Sequence, residues 1–104
     1  MKAAVYYETG SPDVFRYEDV PDPTPRANEV RIEVEAISIE GGDTLNRLGG
    51  AMTATPHIVG YQAAGTVVEV GEAGGSIAVG DRVVTVGTDG SHAEQRVAAE
   101  AACW

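Results

Sequence analysis

Short apolar runs with alternating polar positions dominate the chain and predict β-strands. In residues 30–36 the even positions are Val, Ile, Val and Ala, whereas the odd positions are Arg31, Glu33 and Glu35. Because successive side chains of a strand point to opposite faces, this segment predicts a strand with one buried face and one solvated face.

Other β-rich runs form two pairs, each joined by residues that favour turns. One pair flanks residues 9–13, and the other is interrupted by the glycines of residues 71–76 and by Gly80-Asp81. Turn-forming residues between β-rich runs are typical of hairpins. The runs themselves are residues 3–7, 15–20, 63–70 and 82–86. Together with 13 glycines and 5 prolines between short strands, they predict a mainly β barrel or sandwich.

Two segments favour a helix on local grounds. Residues 43–48 predict one or two helical turns, with Asp43 as the N-cap and Gly49 ending the helix. Ser91 and Glu94 have the spacing of a capping box, and the alanine-rich stretch that follows them favours a helix by propensity.

Length and charge limit the class of protein. A chain of 104 residues that is 43% hydrophobic suffices for one domain with its own core. The 16 acidic and 7 basic residues leave a net charge of −9, which repels phosphate groups, so we expect no binding to nucleic acid or to anionic membranes. The single cysteine, Cys103, excludes an intrachain disulfide. Because no secretory or membrane-length apolar run is present either, the sequence predicts a cytoplasmic protein.

Three glycine-bearing motifs resemble, in order and spacing, the medium-chain dehydrogenase/reductase superfamily. They are Gly65-Thr66-Val67-Val68-Glu69-Val70-Gly71, Val79-Gly80-Asp81-Arg82-Val83-Val84 and Gly90-Ser91-His92-Ala93-Glu94. The resemblance extends to Met1-Lys2-Ala3, Asn28-Glu29-Val30 and Pro56-His57-Ile58-Val59-Gly60. It implies that residues 1–104 are a GroES-like, partly open β-barrel, the substrate-side domain, and that the Rossmann cofactor domain is absent from this chain. It also implies a strand over residues 92–97 instead of a helix.

In the zinc alcohol dehydrogenases of this superfamily, a cysteine and a Gly-His-Glu group supply ligands to the catalytic zinc. The corresponding positions here are residues 39–43, which lack cysteine, and Gly60-Tyr61-Gln62, and the four-cysteine lobe for structural zinc is missing as well. The chain therefore resembles the zinc-free quinone oxidoreductase branch. That branch implies NADPH-dependent reduction of quinones or activated double bonds, a homodimeric parent enzyme, and little or no activity without the cofactor domain.

The resemblance places four candidate site residues at one end of the barrel, facing a cleft that the cofactor domain closes. Tyr61 and Asp43 are the candidate catalytic residues. Glu40 and Gln62 are the candidates for substrate binding. Packing of the tyrosine, helix capping by the aspartate and a solvated turn at the glutamate are the structural alternatives. Leu45 stands where some relatives have an aromatic residue, and Asp43 alone matches their Asn-Pro-x-Asp group.

No residue of this chain is predicted to bind a metal or a cofactor. His57 and His92 lack the spacing of a metal site and are expected at the surface or in packing roles. The thiol of Cys103 has no activating partner in the sequence and is expected to be passive.

Two other functions remain open. Gly-x-Val-Val-x-Val-Gly followed by Gly-Asp-x-Val also occurs in small cochaperonins of the same fold, so a stand-alone binding module is one alternative. The departures at Glu40, Gly41 and Leu45 favour a second alternative, a degenerate lobe retained for protein interaction. A ring-shaped oligomer would indicate the first, and a full-length parent without turnover would indicate the second.

Overall fold

Two antiparallel sheets and one α-helix are the main regular elements of the structure, a computed structural model that describes residues 1–104. The elements are β1 (Lys2–Val5), β2 (Arg16–Asp19), β3 (Glu29–Ile37), α1 (Gly41–Gly49), β4 (Gln62–Val70), β5 (Arg82–Val86) and β6 (Gln95–Ala99). β1 and β2 form one sheet, and the other has the strand order β5-β4-β3-β6. The expected mainly β, partly open barrel with one short helix is therefore confirmed. No helix of the chain is long and apolar enough to cross a membrane.

β3 is a central strand of the larger sheet, and its alternating sequence explains why. It pairs antiparallel with β4 on one side and with β6 on the other. Val30 and Ile32 are buried in the main core with Val67, whereas Glu33 and Glu35 are exposed. The predicted division into a buried and a solvated face is confirmed for Val30, Ile32 and Val34, whereas Ala36, near the end of the strand, is exposed.

The sheet curves because β3 and β4 do not pair in uniform register. Their pairing shifts twice along its length, and such bulges bend a strand and increase its twist. Gly65 lies where the two backbones come closest, since a Cβ atom there would collide with the carbonyl oxygen of Glu33. The glycine is thus required by the close approach of the strands.

The β1–β2 hairpin, as predicted, pairs antiparallel and closes one side of the barrel. The amide of Ala4 donates to the carbonyl of His92 at 2.9 Å, and Tyr6 and His57 exchange backbone hydrogen bonds of 3.1 and 2.9 Å. Val5 and Tyr6 are completely buried. These contacts bring the hairpin against the segments that precede β4 and β6, where the site described below is found.

The start of α1 differs from the prediction. Glu40, not Asp43, is the N-cap, and Asp43 is the third helical residue. Its carboxylate Oδ2 accepts a hydrogen bond of 2.9 Å from the amide of Glu40. Gly49 is the last helical residue and Gly50 is the C-cap. Asp43 therefore satisfies a free amide at the helix start, as expected, but from within the first turn.

The segment after Ser91 is extended, so local helix propensity is overridden. β6 begins at Gln95 instead of His92, and Ala93 forms an isolated bridge with Ala3 of β1. Pairing with β1 and β3 satisfies backbone groups that a helix would have satisfied internally. The prediction of a strand here is confirmed, with a later start.

Candidate functional site

α1, the β1–β2 hairpin and the segments before β4 and β6 line a half-open cavity of about 290 Å³. Its apolar lining comes from Ala4, Phe15, Ile39 and Val59, and its polar lining from Asp43, Thr44, Arg47 and His92. A mostly apolar cavity with a few polar groups at one place is the usual form of a small-molecule site.

Asp43 is the most deeply buried acidic residue of the chain, with 2% of its surface exposed. Oδ2 accepts the hydrogen bond from the amide of Glu40, whereas Oδ1 is enclosed and has no partner. The carboxylate therefore caps the helix and also presents an unpaired oxygen. Buried oxygens without a partner are rare in folded proteins, which makes this residue a strong site candidate.

His92 lies beside Asp43, which the sequence analysis did not anticipate. Its Nε2 is 3.7 Å from Oδ2 of Asp43, too far for a hydrogen bond, and has no other partner. Burial lowers the pKa of His92, and the charge of Asp43 opposes that effect. The two residues are distant in the sequence, so no local spacing could have indicated their contact.

Tyr61 is held by hydrogen bonds to both its side chain and its backbone. Its hydroxyl accepts a hydrogen bond of 3.0 Å from the Asn46 amide, and its ring lies so close to α1 that a Cβ at Gly42 would be 2.6 Å from Cε2. Its carbonyl accepts from the amide of Gly87 at 2.8 Å and from Nη1 of Arg96 at 2.7 Å. The residue is thus fixed in backbone and side chain, and its hydroxyl proton remains free to donate.

Arg96 is a second group that sequence reasoning missed. It is only 3% exposed and has no carboxylate within ion-pair distance. Besides the carbonyl of Tyr61, it donates to Oγ1 of Thr85 at 3.2 Å and to the carbonyl of Asp89 at 2.8 Å. The guanidinium therefore joins β6, β5, the residue that precedes β4 and the loop that follows β5.

The four predicted site residues do not share one cavity. Glu40 is half-buried at the start of α1 and accepts a hydrogen bond of 2.8 Å from Oγ of Ser38. Gln62 is exposed and lines a separate groove with Ile37 and Val84. Glu40, Asp43 and Tyr61 thus gather around the first turns of α1, whereas Gln62 lies on the outer face of the sheet.

His57 and Cys103 have packing roles in the interior of the chain. His57 is buried, its ring centroid is 5.2 Å from that of Tyr6, and Nδ1 is 3.4 Å from Oγ1 of Thr53. The thiol of Cys103 donates to the carbonyl of Ala99 at 3.2 Å, and burial raises its pKa. No three His, Cys, Asp or Glu side chains come together as a possible metal site.

The partly open barrel with a helix at one end, and a mostly apolar cavity beside that helix, is the architecture of a GroES-like domain. The family model described as the alcohol dehydrogenase GroES-like domain matches residues 26–104. The chain belongs to this family, within the medium-chain dehydrogenase/reductase superfamily.

Named relatives are oxidoreductases. The chain is 38% identical over 104 residues to a quinone oxidoreductase of Sus scrofa, covering 96% of this chain and 32% of the relative. It is 36% identical over 89 residues to a 2-haloacrylate reductase of a Burkholderia species, covering 82% of this chain and 27% of the relative. The structure of Escherichia coli quinone oxidoreductase complexed with NADPH superposes with a TM-score of 0.94 at 27% identity, covering 100% of this chain and 32% of that one. The chain spans about a third of the length of these curated relatives.

Proposed function

We propose that residues 1–104 are the substrate-side lobe of a zinc-independent, NADPH-dependent oxidoreductase that reduces quinones or activated double bonds by hydride transfer. The observation that carries the proposal is the mostly apolar cavity with Asp43 and His92 at its polar end, in a lobe 38% identical to a quinone oxidoreductase. Such a cavity suits a flat, apolar molecule that bears one or two carbonyl oxygens.

The cofactor is proposed to be bound mainly outside these residues. The glycines between β4 and β5 are followed by strand β5, not by a helix whose N-terminus could receive a pyrophosphate. Bound beside this lobe, a reduced nicotinamide supplies the hydride. The side chains of this lobe are left to hold the substrate, orient its carbonyl and manage protons.

Tyr61 and Asp43 are proposed as the catalytic residues. Because the hydroxyl of Tyr61 already accepts from Asn46, its own proton is directed elsewhere and is available for a hydrogen bond that orients the substrate. Asp43 contributes a fixed negative charge at the polar end of the cavity. Glu40, at the start of α1, and Gln62, in the groove on the outer face of the sheet, are proposed to contact parts of the substrate that extend beyond the cavity.

We propose that the enzyme needs no zinc, because the side chains that stand where zinc alcohol dehydrogenases carry zinc ligands have other partners here. Glu40 caps α1 and is paired with Ser38, and Tyr61 is a phenol engaged with Asn46. Neither is a cysteine or histidine, the residues from which catalytic zinc sites of this kind are mostly built.

An exposed apolar face supports a covering domain. Ile37, Val84, Val86 and Trp104 are each more than 40% exposed. Ile37 and Trp104 line two grooves that share Val84 on the larger sheet. Contiguous apolar surface of this kind marks an interface. We propose that a Rossmann cofactor domain covers it, that the parent enzyme is a homodimer, and that residues 1–104 alone are inactive.

A domain exchange tests the function. Residues 1–104 replace the corresponding lobe of the Escherichia coli enzyme, and NADPH oxidation is measured with a quinone and with an activated alkene. We expect acceptor-dependent turnover that persists after treatment with a chelator, and none from residues 1–104 alone. The intact Escherichia coli enzyme is the control. A folded chimera that binds NADPH but reduces neither acceptor would contradict the proposal and would favour the degenerate lobe.

A further inference from the structure

Enclosed polar atoms without partners are concentrated near the cavity. Four of them belong to Tyr6, Asp43, Ser91 and His92. Asp43 and His92 line the cavity, and Ser91 precedes His92 in the chain. The backbone of Tyr6 is hydrogen-bonded to that of His57, in the segment before β4. Leaving such an atom unpaired costs about 1–3 kcal/mol, so a cluster of them indicates a place built to receive a polar group.

The pair formed by Asp43 and His92 has the arrangement of a proton-transferring imidazole. A buried carboxylate faces Nε2, whereas Nδ1 is not enclosed. A carboxylate behind an imidazole fixes its orientation and stabilises the imidazolium, which leaves the other nitrogen to act on a ligand. The distance of 3.7 Å is suited to shortening once the imidazole is protonated.

We propose that the cavity between the hairpin and α1 binds a quinone-type carbonyl compound, and that His92, backed by Asp43, donates a hydrogen bond and then a proton to its oxygen. The inference rests on the proposed function and adds to it the residue that protonates the substrate. His92 also forms part of a second, adjoining cavity of about 410 Å³, so it lies at the boundary between an enclosed and a more open space.

The chemistry balances with one hydride and one proton. The substrate takes a hydride, with its electron pair, from a reduced nicotinamide, and its oxygen takes the proton from Nδ1 of the imidazolium. One C–H bond and one O–H bond form, while a C–H bond of the reduced nicotinamide and the N–H bond of His92 break. The neutral imidazole keeps its Nε2 proton toward Asp43. The first product is the keto tautomer of a hydroquinone, which becomes the hydroquinone when the proton on the reduced carbon is lost to solvent and the second carbonyl oxygen takes one up. Because burial lowers the pKa of His92, the imidazolium is a better acid than an exposed one.

A carbonyl oxygen accepts hydrogen bonds but donates none, so it binds the imidazolium better than the neutral imidazole. Ligand binding and proton uptake by His92 are therefore linked. The other charged or titratable groups that line the two cavities are Lys2, Tyr17, Glu35, Asp43, Arg47 and Glu94. The pKa of Lys2 is raised by its hydrogen bond with Asp19, and that of Glu35 is lowered by its bonds to Thr66 and Arg82, so both move away from the range near neutrality.

The test uses the 104-residue chain and duroquinone, a tetramethyl quinone with no ring position open to thiols. The ring signals of His57 and His92 are titrated by NMR with and without the quinone, and binding is measured at pH 5.5 and 8. We expect duroquinone to raise the pKa of His92 only, and to bind about tenfold more tightly at the lower pH. His92→Phe should remove this pH dependence, and Asp43→Asn should weaken it. His57→Phe, which changes a histidine outside the cavity, is the matched control.

The outcomes separate the inference from the function on which it rests. The titration of His92 in the unchanged chain needs no variant, so a poorly folded substitution does not prevent a result. If duroquinone binds without altering His92, or binds His92→Phe equally well at both pH values, the inference is wrong while the proposed function stands. If duroquinone does not bind the chain, the inference is also wrong, and the domain exchange still decides the function.

Discussion

Replacing Arg96 by methionine tests whether a buried cation organises the Tyr61 region. Methionine keeps much of the length and apolar bulk of arginine but removes all of its donors. In the structure Nη1 donates to the carbonyl of Tyr61 at 2.7 Å and to Oγ1 of Thr85 at 3.2 Å, and Nη2 donates to the carbonyl of Asp89 at 2.8 Å, whereas Nε has no partner.

The expected loss of stability depends on which hydrogen bonds each acceptor keeps after the substitution. Tyr61 retains the hydrogen bond from Gly87, and the hydroxyl of Thr85 still donates to Ala63, so these two groups remain partly satisfied. The carbonyl of Asp89 has no such replacement. Hydrogen bonds from a charged donor contribute about 1.5–3 kcal/mol each, whereas burying the charge costs several kcal/mol. The balance predicts that Arg96→Met lowers the free energy of unfolding by about 2–4 kcal/mol.

Urea unfolding followed by far-UV circular dichroism measures the change. Arg26→Met is the control, because Arg26 is exposed and its side chain has no hydrogen-bond partner, and we expect it to stay within about 0.5 kcal/mol of the unchanged chain. Arg96→Lys should recover only part of the loss, since lysine cannot reproduce the planar fork of donors. If Arg96→Met is as stable as Arg26→Met, the guanidinium does not hold this region and the reasoning fails.

Three further substitutions or conditions test other parts of the structure. The pKa of His92 is lower in the folded chain than its ordinary value of 6.5, so protons bind preferentially to the unfolded state. The free energy of unfolding should therefore fall as pH drops through 6.5, and His92→Gln should flatten that decline in unfolding experiments. Gly65→Ala should cost about 3 kcal/mol or more in the same assay, since its Cβ meets the Glu33 carbonyl, whereas Gly49→Ala, with open space around it, should be neutral or slightly stabilising. Cys103 should react with a disulfide reagent at pH 8 far more slowly in the folded chain than in urea, because burial raises its pKa, and equal rates would contradict this.

The strands were predictable because their signal is local. The alternation in residues 30–36 determines which face of β3 is buried, whatever its partners are, and turn residues mark the hairpins. The segment after Ser91 was different. Its composition favours a helix, and only pairing with β1 and β3 makes it extended, so local propensity could not decide it.

The candidate site was predictable only in part, for a related reason. Asp43 and Tyr61 occupy positions that correspond to family motifs, and both lie near the start of α1. The contact of His92 with Asp43 and the bond from Arg96 to Tyr61 depend on how β6 and its preceding loop pack against distant segments. No spacing along the chain encodes such contacts, and an isolated histidine or arginine in a β-rich run has no feature that distinguishes it from a surface residue.

Asp43 shows why a structural explanation for a residue does not exclude a functional one. The helix needs an acceptor for the amide of Glu40, and a serine or asparagine could provide it without placing a charge in the interior. A buried carboxylate is a costly choice for a cap alone, because desolvation of its charge is repaid only by well-placed partners. Here Oδ2 has that partner and is also the oxygen that lies 3.7 Å from Nε2 of His92, whereas Oδ1 has no partner. Capping α1 requires only a neutral acceptor, whereas Asp43 places a carboxylate in the interior. This difference is the physical reason to assign Asp43 and His92 to a site.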